Sequence, residues 1–295
     1  MRARLFALVL LTMLSASHTP AQECSVYFYG AEKTTPAEWR ALLAKWRAAG
    51  ITRAIVSLES GPALLLADPA QAQVLASRFA ESHAAGVQVE GLMLQDPSWT
   101  SRLPEARQRV RAVADFLRQH PGLVDRLQID VEPYAARERV VPRKAWRALA
   151  SLLTDMREEL LRAQPGTRLS AALPWWVARA MTPHEFSAVS GELDDIVLMA
   201  YGDPGGQPVA ADSQTFKRKV LPALELLGHL HATVRIGVAK YEHASSEAMA
   251  RHAAQLDKLL KRLATFSGIV YFHESAPFLR ASTAEVAPEL TAPAP

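Results

Sequence analysis

Leu127-Gln128-Ile129-Asp130-Val131-Glu132-Pro133-Tyr134 is the stretch on which the fold of this chain turns. Leu, Ile and Val alternate with Gln, Asp and Glu, the period of a β-strand. Gln128, Asp130 and Glu132 therefore share one face, and Leu127, Ile129 and Val131 the other. Long helical patterns flank the stretch on both sides, which predicts a parallel sheet covered by helices. Inside such a sheet a row of Gln, Asp and Glu is expensive unless it has a task. Pro133 removes a backbone donor, so the strand is expected to end with Glu132 at its carboxyl end, where α/β folds carry their sites. The competing reading is a solvated edge strand whose acids are inert.

Outward from this centre, strands and helices alternate. Strands are expected at Ser25–Tyr29, Ile51–Leu58, Val87–Leu94, Arg168–Leu173, Asp195–Tyr201, Val234–Val238 and Gly268–Phe272. Thr35-Pro36-Ala37-Glu38 spells a capping box that opens the first helix, Asp68-Pro69 opens the second, and Thr182-Pro183 a short later one. Further helices are expected over 104–119, 142–163, 213–227 and 245–263. Eight strands alternating with helices predict a single (β/α)8 TIM barrel over residues 23–283. A doubly wound sheet is the rival, but no glycine-rich phosphate loop follows the first strand.

Met1-Arg2-Ala3-Arg4, the apolar run Leu5 to Leu14 and the small residues up to Gln22 read as a signal peptide, with Ala21 a plausible cleavage residue. The run is too short to span a bilayer. A secreted or periplasmic protein is expected, free of the membrane after cleavage, with a disordered Pro/Ala/Thr tail over 284–295. Cys24 is the only cysteine, and no base is implied beside it. A net charge of +3, without a Lys/Arg stripe interleaved with aromatics, does not suggest nucleic acid. A monomer is expected.

On a barrel, the residues after each strand share one rim. That rim would collect Tyr29, Glu59, Asp96, Trp99, Asp130, Glu132, Tyr134, Trp175, Trp176, Tyr201, Asp203, Tyr241, Glu242, His273 and Glu274. Aromatic faces stack on sugars and carboxylates bond hydroxyls, so a carbohydrate cleft is expected. Trp39, Trp46 and Trp146 lie inside helices and read as core. His229 and His231 fall on the opposite rim, and no cluster has metal-ligand spacing, so neither metal nor cofactor is expected.

With the fourth and sixth strands in view, the chain resembles the chitinase-like family 18 glycoside hydrolases. Their fourth strand carries Asp-Gly-x-Asp-x-Asp-x-Glu, to which Asp125-Arg126-Leu127-Gln128-Ile129-Asp130-Val131-Glu132 corresponds. The final Asp-x-Glu is kept, the middle Asp is Gln128 and the Gly is Arg126. Their sixth strand ends Met-x-Tyr-Asp; here it is Met199-Ala200-Tyr201-Gly202-Asp203, with one extra residue. Phe272 stands where the family has a Trp, four residues after Gly268. The resemblance implies Glu132 as general acid, Asp130 orienting a substrate acetamido group and Tyr201 bonding its oxygen. Rim position and motifs together lead to the expectation of a poly- or oligosaccharide partner held by Gln128, Tyr29, Asp96, Trp99, Trp175, Trp176, Met199, Asp203, Tyr241, Glu242, Phe272 and Glu274. Two carboxyls so close cannot both ionise easily, so Glu132 is expected to keep its proton near neutral pH. A non-catalytic glycan-binding barrel stays open, as does a glycosidase of another family pairing Glu132 with Asp203, Glu242 or Glu274.

Overall fold

The computed structural model describes residues 22–132, 143–201, 216, 218, 220–227 and 231–272, without the side chains of 178, 179 and 226. Expectations on the first 21 residues, Tyr134, Asp203, His229, His273, Glu274 and the tail lie outside the described residues.

Eight parallel strands close into a barrel: β1 (Glu23–Phe28), β2 (Arg53–Ser57), β5 (Gln88–Met93), β6 (Arg126–Ile129), β7 (Arg168–Pro174), β8 (Asp195–Met199), β9 (Thr233–Ala239) and β10 (Phe266–Phe272). β10 closes on β1 through Glu23 opposite Gly268. The chain is a (β/α)8 barrel. Two short strands, β3 (Glu59–Ser60) and β4 (Ala63–Leu64), form a hairpin after β2 that strand periodicity does not announce.

The helices are α1 (Pro36–Ala48), α2 (Pro69–Ala84), α3 (Leu103–Gln119), α4 (Arg143–Ala163), α5 (Val177–Ala180), α6 (Pro183–Ser190), α7 (Leu221–Leu227) and α8 (Ser246–Leu260). Thr35 and Glu38 form the expected capping box on α1, and Thr182 and Glu185 form another on α6. Asp68 caps α2 by accepting from the Ala70 amide. Trp39, Trp46 and Trp146 are fully buried where helices meet strands, as helix periodicity predicts.

The core has two parts. The outer one lies between strands and helices and takes Leu127, Ile129 and Val131. The inner one fills the barrel with Tyr27, Ile55, Leu92, Ala172, Val197, Met199 and Val270, against which Tyr29, Tyr201 and Phe272 pack. Alternation therefore turns the polar face of β6 inward.

Beneath the inner core lies a layer of charge that hydropathy patterning misses. Arg53, Arg126 and Arg235 point into the amino end of the barrel against Glu23, Glu90 and Asp195. Arg235 donates to Asp195 at 2.7 Å and to Glu90 at 2.8 Å. Ser170 donates to Glu90 at 2.5 Å. Burial alone would raise the Glu23 pKa, but Arg235, Arg126 and Arg53 outweigh it and hold it at about 2. These positions resemble ordinary strand interruptions in the sequence, and only closure of the barrel brings them together.

Candidate active site

β6 supplies the centre of the site. Its ladder stops at Ile129, so Glu132 lies three residues past the last paired position instead of ending the strand. Asp130 still bonds the neighbouring strand, its amide donating to the Met93 carbonyl at 3.3 Å. Leu94, next on that side, has φ 56°, which turns the chain away after β5. On its other side β6 pairs β7, whose strand runs on to Pro174, yet the ladder of β6 ends at Ile129 there too.

Gln128 is 0% exposed. Neither of its amide atoms, nor Oδ1 of Asp130, has a hydrogen-bond partner among the described residues. These groups occupy the inner face, one level apart. Burial and the charge of Glu132 together push the Asp130 carboxyl up to about 8. The Asp130 carboxyl is therefore held mostly protonated near neutral pH. The proximity of the two acids that the alternation predicts acts here on Asp130, together with its burial.

Two tyrosines face these acids. The Tyr29 hydroxyl is raised by burial first and then by Asp130 and Glu132. Tyr201 responds to burial, Tyr27, Asp130, Tyr241 and Glu132. Both remain neutral donors at physiological pH. Tyr201 stacks on Phe272 at 5.7 Å and 13°, and Tyr241 meets both edge-on at 5.9 and 6.4 Å. Tyr27 meets Phe272 edge-on at 5.6 Å from below. Gly237 backs this cluster, since a Cβ there would lie 3.0 Å from Cε1 of Tyr201.

Tyr241 and Glu242 ride on a single 3-10 turn, Lys240–Glu242. His243 anchors it. Its Nδ1 lies 2.8 Å from the Ala239 carbonyl and its Nε2 2.9 Å from Nδ1 of His252. The carbonyl can only accept, so Nδ1 carries a proton.

A cavity of about 500 Å3 opens beside Tyr29, lined by Ser57, Glu59, Gln95, Asp96, Trp99, Arg102 and Arg109 among others. Glu59 accepts from Arg109 at 2.5 Å and from the Gln95 amide at 3.2 Å. Arg109 also donates to the Pro62 carbonyl, which ties α3 to the β3–β4 hairpin. Asp96 caps the next 3-10 turn through the Ser98 amide at 2.8 Å.

Trp99 was expected to offer a sugar an open face. It is 4% exposed, and the guanidinium carbons of Arg102 and Arg109 lie over its ring at 4.0 and 4.5 Å. Trp175 and Trp176 are half-buried and pack against the outer core. Met199 is in the inner core beneath Tyr201. Periodicity overlooked Ser57, Gln95, Arg102 and Arg109; the only signal for the arginines is their place just after a rim loop.

The Cys24 thiol is pushed up to about 12, by burial first and then by Asp257 and Glu23, which leaves no thiolate for chemistry. Among the described residues no cluster of His, Cys, Asp and Glu could hold a metal ion, and no helix is long and apolar enough to cross a membrane.

No family model matches the chain, and no curated protein matches it. Solved structures do. A GH18 chitinase from Pseudoalteromonas aurantia aligns over 90% of this chain and 99% of its own, with TM-score 0.60 and 13% identity. The GH5_18 protein from Streptomyces cattleya, in complex with Manb1-4GlcNAc, aligns over 93% and 82%, with TM-score 0.63 and 16% identity. A xylanase and alpha-amylase inhibitor protein from Scadoxus multiflorus aligns over 90% and 98%, with TM-score 0.55 and 12% identity. At these identities the likeness is one of fold: this chain has the barrel on which chitinases, other glycoside hydrolases and a protein inhibitor are built.

Proposed function

We propose that the chain is a secreted or periplasmic glycoside hydrolase, acting as a monomer on a β-linked, N-acetylated polysaccharide. The observation that carries this reading is the Asp130 carboxyl on the inner face of β6, raised by burial and by the charge of Glu132 two residues on, with the raised hydroxyls of Tyr29 and Tyr201 kept neutral beside the two acids. Glu132, nearer the opening, protonates the glycosidic oxygen as the bond to the anomeric carbon breaks. The substrate's acetamido oxygen attacks that carbon and closes a cyclic intermediate, so no protein nucleophile is required. Asp130 bonds the acetamido N–H and balances its developing positive charge. Tyr201 donates to the acetamido oxygen. Water then opens the ring, and Glu132 recovers its proton from that water. Gln128 cannot ionise, so the proton that Asp130 holds is shared outward with Glu132 and not inward.

The test is hydrolysis of chitin-like and peptidoglycan-derived oligosaccharides by the wild type and by Glu132→Gln. Loss of turnover with sugar binding intact supports the reading, and undiminished turnover shows that another residue is the acid. The inhibitor from Scadoxus multiflorus, built on the same fold, favours one second reading: a barrel that binds without cleaving. Wild type that binds oligosaccharides and hydrolyses none of them selects it.

A further inference from the structure

The cavity beside Tyr29 is a candidate binding pocket whose charges are not equally committed. Arg109 is spent on Glu59 and Pro62, and its side chain is 17% exposed. Glu59, 5% exposed, is closed off by that pairing. Arg102 differs. Its guanidinium carbon lies over Trp99 at 4.0 Å, its side chain is 43% exposed, and its Nη2 donates to Ser98 Oγ at 2.5 Å. Its nearest carboxylate, Asp96, stands at 3.7 Å, is 57% exposed and is bound to the Ser98 amide and hydroxyl. Among the described residues Arg102 is therefore the cation of this cavity that keeps donors for a ligand. The contact with Trp99 and the bond to Ser98 restrain the guanidinium, which lowers the entropy lost when a carboxylate docks on it.

We propose that Arg102, mounted on Trp99, is a specificity-determining residue that binds a carboxylate substituent on the glycan, so that the substrate is an acidic polysaccharide. This rests on the glycan reading above. An open guanidinium matches a carboxylate with two parallel hydrogen bonds, while a neutral sugar hydroxyl takes only one.

The test compares two ligands, a β-linked N-acetylglucosamine tetramer and the same tetramer bearing lactyl carboxylates on alternate units. Binding is measured on the full chain carrying Glu132→Gln, at low and high salt. The carboxylated ligand is expected to bind about fivefold more tightly at low salt, with most of that preference lost at high salt. Arg102→Gln is expected to abolish the preference and leave the neutral tetramer within twofold. Asp96→Asn, which keeps the cap but removes the competing charge, is expected to enlarge the preference. Equal affinities in the starting protein overturn the proposal, as does a preference that survives Arg102→Gln, equal loss of both ligands in that variant, or an unchanged preference in Asp96→Asn. Failure of the hydrolase reading shows separately, as absence of turnover by the wild type on either ligand.

Discussion

At the scale of single residues, the proposed hydrolase rests on Asp130 and Glu132. On that reading the two act as one unit, so the loss from Glu132→Gln and Asp130→Asn combined should be smaller than the product of the single losses. Each single change is expected to cost at least roughly a hundredfold in hydrolysis, measured as kcat/KM on a chitin-like oligosaccharide. Wild-type activity should fall as pH rises through about 8, where the Asp130 carboxyl loses its proton. Stability should follow the same sign. A carboxyl raised in the folded state contributes stability below its unfolded pKa, and this is lost as pH rises through about 8. Thermal unfolding of Asp130→Asn should accordingly vary less between pH 4 and 8 than that of the wild type. Identical profiles would place the titrating group elsewhere.

Single elements hold these groups in place through a few close packings. Gly237 on β9 leaves room for Tyr201, and a Cβ would meet its ring at 3.0 Å. Gly237→Ala should shift the stack of Tyr201 on Phe272 and reduce kcat more than it raises KM. A change confined to KM would show that Tyr201 acts only in binding. Gly91 on β5 is tighter still: a Cβ there lies 2.9 Å from Leu58 Cδ1 and 3.3 Å from Leu127 Cδ1. Gly91→Ala should cost about 1–3 kcal/mol in urea unfolding, as overpacked cores do. At the helix starts, Thr35→Ala removes half of a capping box and should cost about 1 kcal/mol in the same measurement.

Over the whole molecule, the barrel is hydrophobic in the middle, ionic at the amino end and acidic with aromatic walls at the carboxyl end. The ionic layer makes stability sensitive to acid. Glu23, held at about 2 against an unfolded value of 4.5, contributes stability present above the unfolded pKa and lost as pH falls toward 2. Glu23→Gln should lower stability at neutral pH and flatten its decline in acid, followed by circular dichroism. Glu90 is fully buried among three arginines, so Glu90→Ala strands uncompensated charge and should cost roughly 3–5 kcal/mol. A small loss would mean that the layer relaxes or admits water.

The amino-acid sequence by itself determined the barrel. The alternation in β6, the capping residues of α1 and α6 and the regular return of Val/Ile/Leu-rich strands are local signals, and each follows from the geometry of one element. It also marked Asp130 and Glu132, because two acids on one face of a buried strand are conspicuous without knowledge of the neighbours. Only the tertiary structure decided the rest. Arg53, Glu90, Arg126, Asp195 and Arg235 become a charged layer because closure brings five separate strands to one level. Trp99 is covered by arginines from its own rim loop and from α3, which no periodicity encodes. The Asp130 carboxyl is raised because closure of all eight strands sets the desolvation that a carboxylate inside the barrel must bear.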